Sequence, residues 1–130
     1  MTNAPQCDCV LIIEDDHDIR DVLKMILEGE GFTTYTAVNG RAGLEELRRI
    51  GRPCLILLDL MMPVMNGWEF MQALKKEDFV VATIPVVVVS AVAEKNQTLG
   101  AAAYIKKPVD LRLLLEFVKR FCHSQETEVA

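Results

Sequence analysis

Short apolar runs alternate along this chain with longer stretches in which apolar residues return every three or four positions. Cys9 to Ile13 is the first run. It ends at Glu14-Asp15-Asp16, after which Ile19, Val22, Leu23, Ile26 and Leu27 trace one face of a helix closed by Gly29 and Gly31. Phe32 to Ala37 reads as a second strand. Asn39 suits the N-cap of a second helix, marked by Ala42, Leu44, Leu47 and Ile50 before the Gly51-Arg52-Pro53 break. Cys54 to Leu58 is a wholly apolar third strand that runs into Asp59, and Asn66-Gly67 precedes a helix carrying Phe70, Met71 and Leu74. Pro85 to Val89 forms a fourth strand ending at Ser90, and Ala103 to Lys106 a fifth. Lys107-Pro108 then leads to a last helix with Leu111, Leu114, Leu115, Val118 and Phe121. Strands without a polar face, alternating with amphipathic helices, predict an α/β fold whose parallel sheet is buried on both sides.

Composition narrows the class. At 130 residues the chain has the length of one domain, and 51% hydrophobic with 25% charged residues excludes a disordered chain. No apolar run approaches the roughly 20 residues of a membrane span, so no membrane insertion is expected, and the start of the chain lacks the pattern of a secretory signal. A formal charge of −5 with only scattered basic pairs argues against direct nucleic-acid binding. Cys7, Cys9, Cys54 and Cys122 match neither zinc-ligand spacing nor a small disulfide scaffold, so reduced cytosolic thiols are the expectation. The chain divides into an N-terminal tail over 1–8, one domain over 9–122 and a C-terminal tail over 123–130.

Polar residues stand where strands give way to loops: Glu14 and Asp15, Asp59, Ser90 and Lys107. In a parallel sheet these strand ends share one edge, where open α/β folds bind ligands. Clustered carboxylates repel one another and ask for a cation. An incomplete set of hard oxygen ligands suits octahedral Mg²⁺. With the metal present, Asp59 could attack a phosphoryl group, the Lys107 ammonium could offset developing charge and Ser90 could hydrogen-bond a phosphoryl oxygen.

Ile12-Ile13-Glu14-Asp15, the run from Leu57-Leu58-Asp59 through Met62-Pro63 to Asn66-Gly67, Ser90-Ala91, and Tyr104-Ile105-Lys106-Lys107-Pro108 together resemble the receiver domain of two-component response regulators. The resemblance spans about residues 9 to 122 and is nearest to stand-alone, chemotaxis-regulator-like members. It implies a flavodoxin-like, doubly wound (βα)5 fold with five parallel strands in the order 2-1-3-4-5. It implies Asp59 as phosphoacceptor, and Mg²⁺ held by Glu14, Asp15, Asp59 and the backbone carbonyl of Met61. Ser90 would be the switch hydroxyl, Tyr104 the switch aromatic, Lys107 the phosphate-binding lysine, and Lys107-Pro108 a cis peptide. The implied partners are a sensor histidine kinase or histidine phosphotransfer protein and a downstream effector protein, in the cytoplasm; a homodimer is left open. Such a domain catalyses only its own phosphorylation and dephosphorylation.

Several positions carry further expectations. Asp16 lies beyond the acidic pair and suits a second shell or the start of the first helix. His17 reads as a surface residue, His123 as part of the tail, Trp68 as partly exposed packing, and Met61, Met62 and Met65 as gap-filling packing. Only 17 positions separate Ser90 from Lys107, which predicts a shortened fourth helix and a mobile loop from Val92 to Leu99. By analogy with the family, the positions that tune loss of phosphate are Met61 and Val92, both apolar, so self-dephosphorylation should be slow. The alternative is a Mg²⁺-dependent phosphohydrolase or phosphotransferase of haloacid-dehalogenase type, which would need a second Asp where Met61 stands.

Overall fold

β1 (Cys9–Ile13) and β3 (Leu55–Leu58) lie side by side, and from Val10 onward neither carries a polar side chain. Such strands are stable only when helices cover both faces, and that is the architecture of the computed structural model, which describes residues 9–91 and 100–127. β2 (Thr33–Ala37), β4 (Val86–Ser90) and β5 (Ala103–Lys106) complete a parallel sheet in the order β2-β1-β3-β4-β5. The expected doubly wound fold and strand order are therefore observed.

Strand alternation divides the core into two layers. Leu11, Ile13, Ile56, Leu58, Val86 and Val88 pack against α2 (Gly40–Ile50) and α3 (Gly67–Lys75) through Leu44, Leu47, Phe70 and Leu74. Val10, Ile12, Leu55, Leu57, Val87 and Val89 meet Leu23 and Leu27 of α1 (His17–Gly29) and Leu114, Val118 and Cys122 of α5 (Leu111–Thr127). Burying a Leu or Val side chain contributes roughly 1.5–3 kcal/mol before entropy is counted, so both layers are needed to hold the sheet.

Local chemistry sets each helix start. Asp16 caps α1, its carboxylate accepting the amides of Asp18 at 2.9 Å and Ile19 at 3.1 Å. Asn39 caps α2 through the Ala42 amide at 2.8 Å, as its position predicts. Asn66 and Glu69 exchange side-chain to backbone bonds in a capping box at α3, and the Asp110 carboxylate caps α5.

One element carries no sequence expectation, and three expectations need correction. A single helical turn, α4 (Phe79–Ala82), lies between α3 and β4, too short to leave a periodic signature. The last helix continues to Thr127, past the expected start of the tail at 123, because neither Gly nor Pro interrupts those residues. Met61 is not packing: its side chain is 56% exposed, while Met62 is buried. Cys54 and Cys122 are not separate thiols but a disulfide, with Cα atoms 5.5 Å apart across 68 residues. They face each other because α5 lies over the start of β3. Trp68 is partly buried against the core, as expected. The expected loop at Val92–Leu99 and the shortened fourth helix within it lie outside the described residues.

Candidate functional site

At its C-terminal edge the sheet ladder continues one residue beyond the strands. The Glu14 amide donates to the Ala37 carbonyl (3.0 Å), Asp59 to Ile13 (3.0 Å) and Lys107 to Ser90 (2.9 Å). Main-chain bonds thus place the candidate groups on one edge independently of their side-chain contacts. Glu14, Asp59 and Ser90 are all buried, whereas Asp15 is exposed.

The side chains converge there. Lys107 Nζ lies 3.0 Å from Glu14 Oε1 and 3.6 Å from Asp59 Oδ1. Glu14 Oε2 accepts the Asp16 amide at 3.1 Å, and Asp59 Oδ1 accepts the Met61 amide at 3.3 Å. One carboxylate oxygen each from Glu14, Asp15 and Asp59 fall within 4.8 Å of one another. Asp16 accordingly both caps α1 and supports Glu14. His17 lies outside this cluster, exposed and beside Asp18 and Asp21.

Burial dominates the electrostatics. It pushes Glu14 up to about 7, against the opposing hydrogen bonds of Lys107 and the Asp16 amide, and Asp59 adds repulsion. Asp59 is raised for the same first reason, with the Lys107 charge and the Met61 amide working the other way. A single ammonium therefore faces two buried carboxylates and a third exposed one. Hard oxygen donors with this excess of negative charge fit a small divalent cation.

The loop after Asp59 is held by close backbone packing. A Cβ on Gly67 would come within 2.7 Å of the Asp59 carbonyl oxygen and of Leu60 Cα, so no larger residue fits without moving the strand end at Asp59. Gly40 similarly abuts Met65, whose carbonyl accepts the Gly40 amide at 3.0 Å. Between these anchors Val64 adopts φ 69°, unfavourable for a β-branched residue, and projects 67% exposed.

The remaining candidates stand further out. Tyr104 lies on the edge strand β5, paired in register with Val88, and is 44% exposed rather than part of the core. Lys107-Pro108 is a cis peptide, as the resemblance implies. Sequence periodicity missed an apolar groove of about 300 Å³ between α1 and the start of α5, lined by Ile19, Val22, Pro108, Val109 and Leu111 and ending at Lys107. Val22 and Leu111 continue the apolar faces of their helices but are 43% and 36% exposed. Their only sequence signal is an apolar stripe wider than its helix needs.

A parallel 2-1-3-4-5 sheet wrapped on both faces, with carboxylates and a lysine at its C-terminal edge, defines a flavodoxin-like domain of signalling type. Residues 10–119 match the response regulator receiver domain, and the chain belongs to that family. Over 125 residues it is 35% identical to the transcriptional regulatory protein CrdR of Helicobacter pylori, covering 92% of this chain and 57% of that protein. It is 32% identical to the sporulation initiation phosphotransferase F of Bacillus subtilis, covering 86% of this chain and 91% of that one. Among solved structures, a CheY-like receiver domain protein from Methanospirillum hungatei has a TM-score of 0.80 at 33% identity, covering 93% of this chain and 98% of the other. The chemotaxis response regulator CheY4 of Vibrio cholerae gives 0.78 at 28% identity, covering 87% and 97%. The chain spans about half the length of the transcriptional regulators it matches. It is a receiver domain of two-component signalling, homologous to phosphorylatable response regulators, and such domains work with histidine kinases and effectors. The phosphohydrolase alternative is thereby set aside. No described helix is long and apolar enough to cross a membrane.

Proposed function

We propose that this receiver takes a phosphoryl group from a phosphohistidine donor onto Asp59. The reading is carried by the place of that carboxylate: buried at the sheet edge, 3.6 Å from Lys107, with an oxygen within 4.8 Å of one from each of Glu14 and Asp15. An Asp59 carboxylate oxygen attacks phosphorus as the P–N bond to the donor imidazole, protonated on its other ring nitrogen, breaks, leaving an acyl phosphate and a neutral imidazole that keeps the electron pair. Glu14, Asp15, Asp59 and the Met61 carbonyl would hold Mg²⁺, which supplies charge neutralisation for the incoming phosphoryl oxygens. Lys107 then exchanges its contact with Glu14 for a phosphoryl oxygen, and Ser90 donates to another. The added charge of about −1.5 to −2 reorganises the loop after β4, and Tyr104 follows on the adjoining strand.

A donor protein has to cover the pocket mouth to deliver its imidazole. The apolar groove ending at Lys107 supports docking there. With a charge of −5 the receiver itself is unsuited to nucleic acid, although a DNA-binding response regulator of Mycolicibacterium smegmatis is among its relatives. A cytoplasmic location fits this chemistry. Incubation with a small acyl phosphate and Mg²⁺ should add one phosphoryl group to the chain, and chelation of the metal should abolish the gain. Equal labelling with and without metal would refute the reading.

A further inference from the structure

The Cys54–Cys122 bond lies at the opposite end of β3 from Asp59, joining the residue before that strand to the last two turns of α5. Nothing in the phosphoryl chemistry uses it. Nor does the fold need it as a staple, because disulfides compensate for small cores and this domain has two complete apolar layers. What the bond does hold is one helix. Among the residues of α5 whose burial is described, Leu114, Val118 and Cys122 are the buried hydrophobic ones, spaced four apart down one face. Cys122 is the last of the three, so its covalent link fixes the C-terminal half of α5, helped there by Lys119 3.2 Å from Glu30, the residue that ends α1.

We propose that Cys54 and Cys122 form a reversible, redox-dependent clip that decides whether the end of α5 stays docked on the sheet. This extends the cytoplasmic reading above, since disulfides of that compartment are characteristically transient or redox-sensing. The co-reactant is a glutathione-type thiol–disulfide couple. On closing, one cysteine thiolate attacks glutathione disulfide and expels a glutathione thiolate. The second thiolate then displaces the other glutathione from the mixed disulfide, so two electrons pass to the couple and two protons leave the cysteines. On opening, the same steps run backward. Both residues are buried, at 2% and 1% exposure, so exchange requires the end of α5 to lift and proceeds slowly. In the open state Cys122 packs as a small apolar side chain and no longer anchors the helix covalently.

The test uses the full chain with Cys7→Ser and Cys9→Ser, to silence the other thiols, equilibrated in reduced and oxidised glutathione mixtures spanning a cytosolic poise. Thiol alkylation and peptide mass spectrometry read the Cys54–Cys122 linkage, and hydrogen exchange reads α5. The expected result is a reversible transition within the series, with Tm lower by roughly 10 °C in the reduced form and exchange rising selectively in the C-terminal half of α5. A Cys54→Ala, Cys122→Ala variant should match the reduced form and ignore the glutathione ratio; should it fail to fold, the wild-type pair titrated in the same series carries the test. A bond that never forms, one that persists at every ratio, or one whose opening leaves α5 unchanged overturns the proposal. Phosphorylation of Asp59 is scored separately in both redox forms, so a failure there counts against the phosphoacceptor reading and not against the clip.

Discussion

The Lys107 ammonium stands 3.0 Å from Glu14 and 3.6 Å from Asp59, so one cation is shared by two buried carboxylates. Lys107→Met removes that charge and leaves both acids uncompensated. Taking away one partner of a buried ion pair costs about 3–5 kcal/mol, and the metal-free variant should lose stability on the order of the lower end of that range. Divalent cation should restore most of it, because the variant has the stronger need of one. Thermal melts with and without Mg²⁺ check this; a loss of stability that Mg²⁺ fails to relieve would contradict it.

Glu14 gives the metal-free protein a pH dependence. Its folded value of about 7 lies above the ordinary 4.5, so between those values the folded state holds more protons than the unfolded chain. Stability should therefore be greatest below that window and fall as pH rises through it toward 7. Asp59 is raised too and acts with the same sign. Melts from pH 4.5 to 8 in chelator should show the decline, and Glu14→Gln should flatten it.

The proposed docking of a donor protein on the groove would separate protein donors from small ones. Val22→Glu places a charge on its exposed apolar lining without touching the carboxylates. Transfer from a phosphohistidine protein should slow by about tenfold or more, as for loss of one apolar anchor, while labelling by a small acyl phosphate stays unchanged. Equal slowing with both donors would place the fault in the pocket instead.

Met61 projects into solvent beside Asp59 and offers no hydrogen bond to orient an attacking water. The purified acyl phosphate should consequently be long-lived, and Met61→Asn should shorten its lifetime. Phosphate release followed after removal of the donor reads both; an unchanged lifetime in the variant would show that another position controls the water.

Much of this architecture is legible in the sequence because its signals are short-range. Short apolar runs such as Leu55–Leu58, broken by turn residues and alternating with amphipathic stretches, read as strands buried on both faces, and the polar residues that end them mark a common edge. Asn39 caps a helix by a bond to a residue three positions on. Long-range pairings leave no such mark. Cys54 and Cys122 meet only because α5 crosses the start of β3, and the left-handed Val64 lies in a loop whose neighbours Leu60 and Met65 pack tightly on Gly67 and Gly40, residues distant or unmarked in the sequence pattern. Val22 and Leu111 read as core because periodicity reports that a helix face is apolar, not that a neighbour covers all of it.

The most direct test of the central claim is peptide mapping of the chain after Mg²⁺-dependent phosphorylation by a small acyl phosphate, in wild type and in Asp59→Asn. A single acid-stable, hydroxylamine-labile phosphoryl group on the peptide containing Asp59, absent from the variant, is the predicted result. Equal labelling of the two proteins, or label on a different peptide, would contradict it.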